Sequence, residues 1–320
     1  MKILILGGTG HIGSWLVPAL VERGHTVSVV SREKRAPYRD DAAWQAVTKI
    51  PLDRGEEEKR GTFSAKIAAL NADVVVDLIC FRLESARALA EALRGCVAHF
   101  LHCGTIWIYG VTEVAPIPDD FPRRPLCDYG RQKLAIEEYL LGEARRGNLP
   151  ATLIHPGHIS GPGWTPINPQ GNLNLKVFEA LAKGEEVLLP NDGLSMLHHV
   201  HAADVAQLFL RAIENWNASV GEAFHAVSPG ALTLSGYAHA VARWFGRDAN
   251  IRCLPWNEWK LRVDARDAEI TFDHARHSPC ASIEKARLRL GYTPRTSTET
   301  LREALAWLIA NGKVEAPKLV

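Results

Sequence analysis

Three glycines that follow the first apolar segment constrain the fold of this 320-residue chain more than any other feature. Ile3–Leu6 has no polar face, which is typical of a strand buried on both sides of a parallel sheet. Gly7, Gly10 and Gly13 then form a turn whose backbone can approach a pyrophosphate closely, and the helix after it attracts anions. Because Thr26–Ser31 supplies a second apolar strand, the order strand, glycine turn, helix and strand predicts a dinucleotide-binding unit.

Strands and helices continue to alternate through the first half of the chain. The predicted strands after Ser31 are Val47–Leu52, Asp73–Ile79, Val97–Cys103 and Ala151–Ile154. The predicted helices between them are Phe63–Leu70, Leu83–Leu93 and Tyr129–Arg146. This alternation predicts an α/β fold of the Rossmann type, a doubly wound parallel sheet with ligands outside the carboxyl ends of its strands.

The second half has a looser rhythm, with a glycine- and proline-rich loop over Gly161–Gly171. It contains one predicted strand, Glu222–Val227, and a series of predicted helices over Leu173–Lys183, Ala202–Asn215, Leu232–Phe245, Ile283–Leu290 and Leu301–Ala310. We therefore expect residues 1–160 to form the dinucleotide-binding domain. Residues 161–320 are expected to form a smaller, mostly helical C-terminal substrate lobe, interleaved with the last strands of the sheet.

Composition narrows the classes of partner. A formal net charge of +1 gives no overall field that favours nucleic acid or an anionic membrane. No apolar stretch reaches the ~18 residues that a membrane span needs. Met1 leads directly into a strand, without the pattern of a secretory signal. The six cysteines form no Cys-x-x-Cys pair, as is typical of reduced thiols. We therefore expect a cytoplasmic protein with no membrane partner.

Tyr129 and Lys133 are the first candidates for chemistry. Residues four apart share one face of a helix, so the phenol and the ammonium are expected to point into one site. A nearby cation favours the phenolate and lowers a tyrosine pKa from about 10 towards neutrality. Tyr129 would then act as a general acid and base for a hydroxyl that becomes a carbonyl.

The chain resembles the extended short-chain dehydrogenases/reductases of the NAD-dependent epimerase/dehydratase family over essentially its whole length, with a likeness to the UDP-glucose 4-epimerases. The family's order and spacing are found in Gly7-x-x-Gly10-x-x-Gly13, Cys103-Gly-Thr105 with Tyr109-Gly110, Tyr129-x-x-x-Lys133, Pro156-Gly157-x-x-x-Gly161, His201-Ala-Ala-Asp204, and Gly291-Tyr-Thr-Pro294. The resemblance implies hydride transfer between a bound nicotinamide and a carbon that bears a hydroxyl. Family members commonly form homodimers, so a homodimer is expected here too.

Carried over residue by residue, the resemblance makes Thr105, Tyr129 and Lys133 catalytic. The hydroxyl of Thr105 would bind the reacting oxygen, and Lys133 would also hold the nicotinamide ribose. Asp53 falls near the adenine. The remaining cofactor-binding residues implied by the resemblance are Gly7, Thr9, Gly10, His11, Ile12, Gly13, Leu78, Ile79, Cys80, Pro156, Gly157 and His158.

Departures from the family pattern bear on cofactor and substrate. Ser31 and Arg32 stand where NAD users usually have an Asp, and a hydroxyl with a guanidinium can bind a 2′-phosphate, so NADP is favoured over NAD. In Leu197–Ala202 the family's arginine for a sugar-nucleotide diphosphate is missing, which weakens the nucleotide-sugar interpretation. The usual arginine before Pro156 is His155. Arg276 and its two histidine neighbours, His274 and His277, are candidates to replace the missing charge.

The predicted substrate contacts are Trp107, Trp164, Asn168, Asn172 and His199. A tryptophan offers an apolar platform for a sugar ring, and asparagine supplies a donor and an acceptor. The histidines at 198, 199 and 201 could suggest zinc, but no nearby Cys or Glu completes a ligand set, so no metal is expected. They are interpreted either as structural residues or as a polar patch that faces the substrate.

The leading functional hypothesis is an NAD(P)-dependent epimerase or oxidoreductase that acts on a sugar or a sugar nucleotide. An NADP-dependent reductase or dehydrogenase of a non-nucleotide carbonyl compound is the alternative. Dehydration is disfavoured, because Ile106 and Trp107 replace the Asp-Glu pair that dehydratases of the family place after the catalytic threonine. Some plastid relatives of this fold bind RNA, and this third hypothesis would require a basic stripe with interleaved aromatic residues.

Overall fold

Seven parallel strands form the central sheet of the computed structural model, which describes residues 1–320. The strands of the chain are β1 Lys2–Leu6, β2 Thr26–Ser31, β3 Thr48–Pro51, β4 Val74–Asp77, β5 His99–Cys103, β6 Ala151–Pro156, β7 His158–Ser160, β8 Val187–Pro190, β9 Met196–Leu197, β10 His199–His201, β11 Ala223–Ala226, β12 Leu232–Thr233 and β13 Ile251–Leu254. The central order is β11-β6-β5-β4-β1-β2-β3, and β1 and β4 flank the point where the winding direction changes. Ligands of such sheets bind at this point.

The helices cover both faces of the sheet and build the rest of the C-terminal half. They are α1 Gly13–Glu22, α2 Arg54–Lys59, α3 Phe63–Ala68, α4 Leu83–Leu93, α5 Asp128–Arg145, α6 Lys176–Lys183, α7 Ala202–Glu214, α8 Trp216–Ser219, α9 Leu234–Trp244, α10 Trp256–Trp259, α11 Ala265–His277, α12 Glu284–Leu290 and α13 Ser297–Ala310. Short 3-10 helices span Ala42–Ala46 and Ile106–Ile108. No helix is both long enough and apolar enough to cross a bilayer.

Two apolar layers enclose the sheet. One face packs against α1, α7 and α12, and the other against α3, α4 and α5. Strands with apolar residues on both faces, such as β1 and β4, become buried between these layers, which is the reason that they lack an alternating pattern. The predicted Rossmann fold with a doubly wound parallel sheet is thus confirmed.

The C-terminal half does not separate cleanly at residue 160. Helices α6, α9 and α13 share a third apolar core, beside the pair formed by β8 and β13. However, β11 is the edge strand of the central sheet, and Phe209 of α7 packs into the same core as Leu16 of α1. Residues 202–226 therefore complete the central sheet and one of the apolar layers that cover it.

Two differences from the expected elements have local causes. Helix α11 was not predicted, because its buried face consists of Ala268, Thr271, His274 and His277 rather than of large apolar residues. The final helix begins at Ser297 instead of Leu301, since Thr296 and Glu299 form a reciprocal capping box. Polar residues thus define both elements, and hydrophobic periodicity does not reveal them.

Candidate active site

A cleft of about 540 Å³ opens at the carboxyl ends of β1, β4, β5 and β6. Thr105, Tyr129 and Lys133, which sequence reasoning placed in one site, all line it. It is also lined by most of the predicted cofactor residues, namely Gly7, Gly10, His11, Ile12, Gly13, Leu78, Ile79, Pro156, Gly157 and His158. Thr9 and Cys80 are not among the lining residues. The main chain of Cys80 contributes by accepting a hydrogen bond from Lys133.

The glycine turn has no room for a side chain at Gly7 or Gly13. Gly7 has a φ of +83°, and a Cβ there would lie 2.4 Å from Ile79. A Cβ at Gly13 would lie 2.1 Å from the carbonyl oxygen of Gly8, so α1 begins directly against the turn. Such a backbone cradle in front of a helix N-terminus fits the pyrophosphate of a dinucleotide.

The residues expected at the ribose and the adenine either make hydrogen bonds within the protein or lie outside the cleft. The hydroxyl of Ser31 accepts a hydrogen bond from the N–H of Glu33 at 3.3 Å, and Arg32 is exposed outside the cleft wall. Asp53 caps α2 by accepting from the N–H of Gly55 at 3.0 Å. Arg35, which the sequence did not single out, lines the cleft.

A buried chain of polar groups holds Thr105 from behind. The N–H of Thr105 donates to Nδ1 of His155 at 3.0 Å, and Nε2 of that ring lies 2.9 Å from Glu137. Glu137 is also bound by Arg123 at 2.7 Å. Because His155 accepts at Nδ1, the proton of its neutral ring is placed on Nε2, facing the carboxylate. Thr105 itself caps the turn that begins at Ile106.

The neighbouring polar groups favour the ionised form of Glu137. Burial alone would raise the pKa of the Glu137 carboxyl, but the interactions with His155 and Arg123 outweigh burial and lower this pKa to about 2. The sequence carried a signal for this residue. Glu137 follows Lys133 by four positions, just as Lys133 follows Tyr129, so the three side chains share one face of α5.

The ammonium of Lys133 is placed against two main-chain carbonyls and not in direct contact with the Tyr129 phenol. Nζ of Lys133 donates to the carbonyl oxygens of Cys80 at 2.7 Å and Cys103 at 2.6 Å, and it lies 6.0 Å from the Tyr129 ring centroid. Desolvation of its hydroxyl raises the pKa of Tyr129, although the residue is 39% exposed, and a hydrogen bond with Thr105 only partly offsets this. Burial also lowers the pKa of Lys133.

Two of the predicted substrate contacts form hydrogen bonds within the protein instead. Asn168 and Asn172 are fully buried, and their side chains bond to each other at 2.5 Å. Asn172 also donates to Thr271 at 3.2 Å. These amides tie the loop to α11, and neither lines the cleft. Sequence alone does not distinguish an amide that caps a loop from one that faces a ligand.

Of the two predicted aromatic contacts, Trp164 lines the cleft and Trp107 does not. Trp164 stacks on His11 with ring centroids 5.1 Å apart. Trp107 lies 6.2 Å from Tyr129 and stacks on His277 at 4.1 Å. Each tryptophan therefore already has one ring face in contact with a histidine.

Histidines from three elements lie together beside Trp107. His158 of β7 lies 5.5 Å from His199 of β10 and 5.0 Å from His274 of α11, measured between ring centroids. Arg276 does not replace the missing family arginine, since it pairs with Asp273 at 2.6 Å. No group of three or more His, Cys, Asp or Glu side chains is arranged to hold a metal ion.

Similarity to known proteins covers the full chain. It is 26% identical over 315 residues to the 2′-dehydrokanamycin reductase of Streptomyces kanamyceticus, covering 98% of this chain and 86% of that protein. It is 27% identical over 300 residues to a chloroplast stem-loop binding protein of 41 kDa from Arabidopsis thaliana, covering 92% and 75%. The structure of UDP-glucose 4-epimerase from Thermotoga maritima has the same fold, with a TM-score of 0.72, 23% identity and coverage of 97% and 99%.

The sequence pattern of the NAD dependent epimerase/dehydratase family matches residues 3–226. This range begins at β1, contains the glycine turn and the Tyr129–Lys133 segment, and ends at β11. Sequence pattern, fold and cleft agree, and the chain belongs to the NAD dependent epimerase/dehydratase family, whose members are enzymes of the extended short-chain dehydrogenase/reductase type.

Proposed function

We propose that this enzyme interconverts a hydroxyl and a carbonyl on a sugar carbon, with Tyr129, Thr105 and Lys133 as its catalytic residues. The observation that carries the proposal is that these three side chains and the glycine turn line one cleft. A bound nicotinamide supplies the acceptor or donor of hydride. The protein supplies the proton chemistry and the orientation.

Tyr129 is the proton-transferring group in this proposal. Its phenol is protonated in the free enzyme, because desolvation of the hydroxyl raises its pKa, so it is ready to donate to a carbonyl oxygen. The reverse direction requires the phenolate, which a cation close to the phenol stabilises. Lys133 can supply this charge from its position at the Cys80 and Cys103 carbonyls.

Thr105 positions the reacting oxygen in this proposal. Its backbone is fixed by the bond to His155, and its hydroxyl lies on the Tyr129 side of the cleft. The residues that surround the glycine turn hold the dinucleotide. A hydrogen-bonding hydroxyl with a fixed backbone limits the directions from which the substrate oxygen can approach the phenol.

The test is a substrate panel with the Tyr129→Phe variant as the matched comparison. The panel contains UDP-glucose, UDP-galactose and the methyl glycosides of glucose and galactose, each with NAD⁺ and NADP⁺. Net oxidation is followed by the absorbance of reduced nicotinamide, and epimerisation, which leaves none, by chromatography of the sugars. We expect turnover by the wild type and a loss of about 10²–10⁴-fold in Tyr129→Phe. Cofactor binding by fluorescence should be unchanged. Full turnover by the phenylalanine variant would refute the assignment.

We further propose that NADP is preferred and that Arg35 carries the preference, since Arg35 lines the cleft whereas Arg32 does not. A guanidinium binds a 2′-phosphate through charge-assisted hydrogen bonds. The Arg35→Gln variant should weaken NADPH binding about tenfold and leave NADH binding unchanged. Arg32→Gln is the control, and equal losses for both nucleotides would contradict the proposal.

A further inference from the structure

The histidines beside the cleft have unmade hydrogen bonds at defined atoms. Both ring nitrogens of His158, Nδ1 of His199 and Nε2 of His277 are buried and have no hydrogen-bond partner. A buried nitrogen without a partner costs stability, so a native site that contains four of them calls for an explanation. Three different elements, β7, β10 and α11, contribute these rings.

The partners that these rings do have determine their protonation. Nε2 of His199 lies 3.1 Å from the carbonyl oxygen of Ile167, and Nδ1 of His277 lies 2.6 Å from that of Asp273. A carbonyl oxygen only accepts, so each of these nitrogens carries the proton, and the other nitrogen of each neutral ring is a bare acceptor. His158 contributes one donor and one acceptor. The unmet capacity of the cluster is therefore mostly for hydrogen-bond donors.

The charges around the cluster support neutral rings. Burial lowers the pKa of His199 to about 3 and also lowers the pKa of His158 and His277. On α11, Arg276 and Asp273 neutralise each other. The other titratable neighbours are His274 of α11, Tyr237 of α9 at 5.5 Å from His199, and His198, whose two nitrogens are bonded to Ser228 and Ala281.

The cluster adjoins the catalytic residues. His158 lines the same cleft as Thr105 and Tyr129. Of the two cationic side chains of that cleft, Lys133 is bound to two carbonyls, and Arg35 is the one assigned to the 2′-phosphate of NADP under the proposed function. A ligand would reach the cluster when the His158 ring turns from its neighbours towards the cleft that it lines.

We propose that His158, His199 and His277 form a subsite for the hydroxyl groups of an uncharged sugar ring. Ligand hydroxyls donate to the bare nitrogens of His199 and His277, and one hydroxyl both accepts from and donates to His158. A phosphate or carboxylate offers only acceptors and would meet lone pairs. This inference rests on the proposed function and narrows it to non-nucleotide sugars.

The test is calorimetric titration of the NADP⁺-loaded enzyme with methyl β-glucoside, methyl β-galactoside and UDP-glucose. At least one glycoside should bind no more weakly than UDP-glucose. Its Kd should be constant between about pH 7 and 9, with no proton uptake in buffers of different ionisation enthalpy, because the rings stay neutral. His158→Phe should weaken glycoside binding about tenfold or more.

Two further variants make the test specific. His158→Gln keeps a donor and an acceptor and should restore part of the affinity, whereas His239→Phe, at an exposed histidine of α9, should change nothing. Tighter binding of UDP-glucose by tenfold or more, proton uptake abolished by His158→Phe, binding indifferent to His158, or no glycoside binding would each overturn the subsite. Failure of the proposed function is separate: it would appear as full turnover in Tyr129→Phe, whatever the result at His158.

Discussion

Two groups of side chains at the cleft differ in how their polar atoms are paired: the sheet wall, formed by Thr105, Lys133, Glu137 and His155, and the histidine wall, formed by His158, His199 and His277. On the sheet side, Lys133 has two carbonyl partners, and Thr105 is held through His155 by the ion pair of Glu137 with Arg123. In the histidine wall, of which only His158 lines the cleft, four ring nitrogens have no partner. The sheet wall therefore holds the residues proposed as catalytic by interactions within the protein, whereas the histidine wall retains unused hydrogen-bonding capacity.

The difference separates the parts of the site that serve different purposes. Groups that carry out the same proton transfer in every turnover benefit from a fixed orientation, which paired neighbours provide. Groups that recognise a substrate must exchange partners when the substrate arrives. Unpaired nitrogens reduce stability in the free enzyme, and a ligand with matching donors recovers that loss.

Lowering the pH should reduce the free energy of unfolding first through the buried histidines and only at lower pH through Glu137. This is the largest expected effect on stability. Burial lowers the pKa of His198 to about 4 and of His199 to about 3, so below about pH 6.5 the unfolded chain binds protons that the folded chain does not. The free energy of unfolding should then fall by about 1.4 kcal/mol per pH unit for each such ring. Stability from Glu137, whose folded pKa is about 2, is lost only below its unfolded pKa of 4.5.

Urea unfolding at stepwise decreasing pH measures both windows. The slope of free energy against pH gives the number of protons taken up on unfolding. We expect at least two protons near pH 5 in the wild type, and fewer in the His199→Phe variant, which removes one buried ring that titrates. A free energy that stays constant from pH 7 to about 5 would show that these rings are not buried as neutral groups.

Substitution of Glu137 should disrupt the hydrogen bonds of the sheet wall. In Glu137→Ala, Arg123 and His155 lose their shared partner, and removing one member of a buried ion pair costs about 3–5 kcal/mol. Glu137→Gln keeps an acceptor for Arg123 and should cost less. Both are measured by urea unfolding. If the pair is part of what fixes Thr105, kcat should fall in Glu137→Gln while KM changes little; an unchanged kcat would limit Glu137 to a structural role.

The sheet wall could be predicted from sequence far better than the histidine wall. The glycine turn and the Tyr129–Lys133 spacing depend on short-range geometry, the period of a helix and the demands of a tight turn, so their positions follow from the sequence. The hydrogen-bond partners of Lys133 could not be predicted from the sequence. They are two carbonyls, one shortly after β4 and one at the end of β5, which become neighbours only in the folded sheet.

The histidine wall depends on contacts between residues that are far apart in the chain. His158 and His274 are separated by 116 positions, and α11 presents polar residues where a core helix normally presents large apolar ones. The asparagines at 168 and 172 show the same limit, since their engagement with each other and with Thr271 depends on where α11 docks. Residue type predicts that such groups need partners, and only the fold determines which partners they obtain.

Filling the unpaired positions should increase stability at the expense of binding. Both nitrogens of His158 lack partners, so His158→Phe removes no hydrogen bond and relieves a desolvation cost of about 1–3 kcal/mol. We expect a higher urea midpoint together with weaker glycoside binding. His198→Phe is the contrasting variant, because both of its nitrogens are bonded, and it should lower the midpoint. A lower midpoint in His158→Phe would indicate that its nitrogens have partners.

The smallest effect is expected where the two halves of the chain meet over the glycine turn. Trp164 stacks on His11 at 5.1 Å and meets the edge of Tyr38 at 5.6 Å, so it lies across the part of the cleft proposed to bind the cofactor. An aromatic pair contributes about 0.5–1.5 kcal/mol, and Trp164→Ala should therefore speed NADPH release about two- to tenfold. Stopped-flow fluorescence measures this rate, with Trp164→Phe as the variant that keeps a ring.

Comparison with Trp107→Ala distinguishes a local contact from a general loosening of the cleft. Trp107 stacks on His277 in the histidine wall and has no aromatic contact with the glycine turn, so its removal should weaken glycoside binding and leave NADPH release unchanged. If both alanine variants speed release equally, the two walls do not act independently. If only Trp164→Ala does so, the stack on His11 retains the cofactor, and the histidine wall acts on the substrate alone.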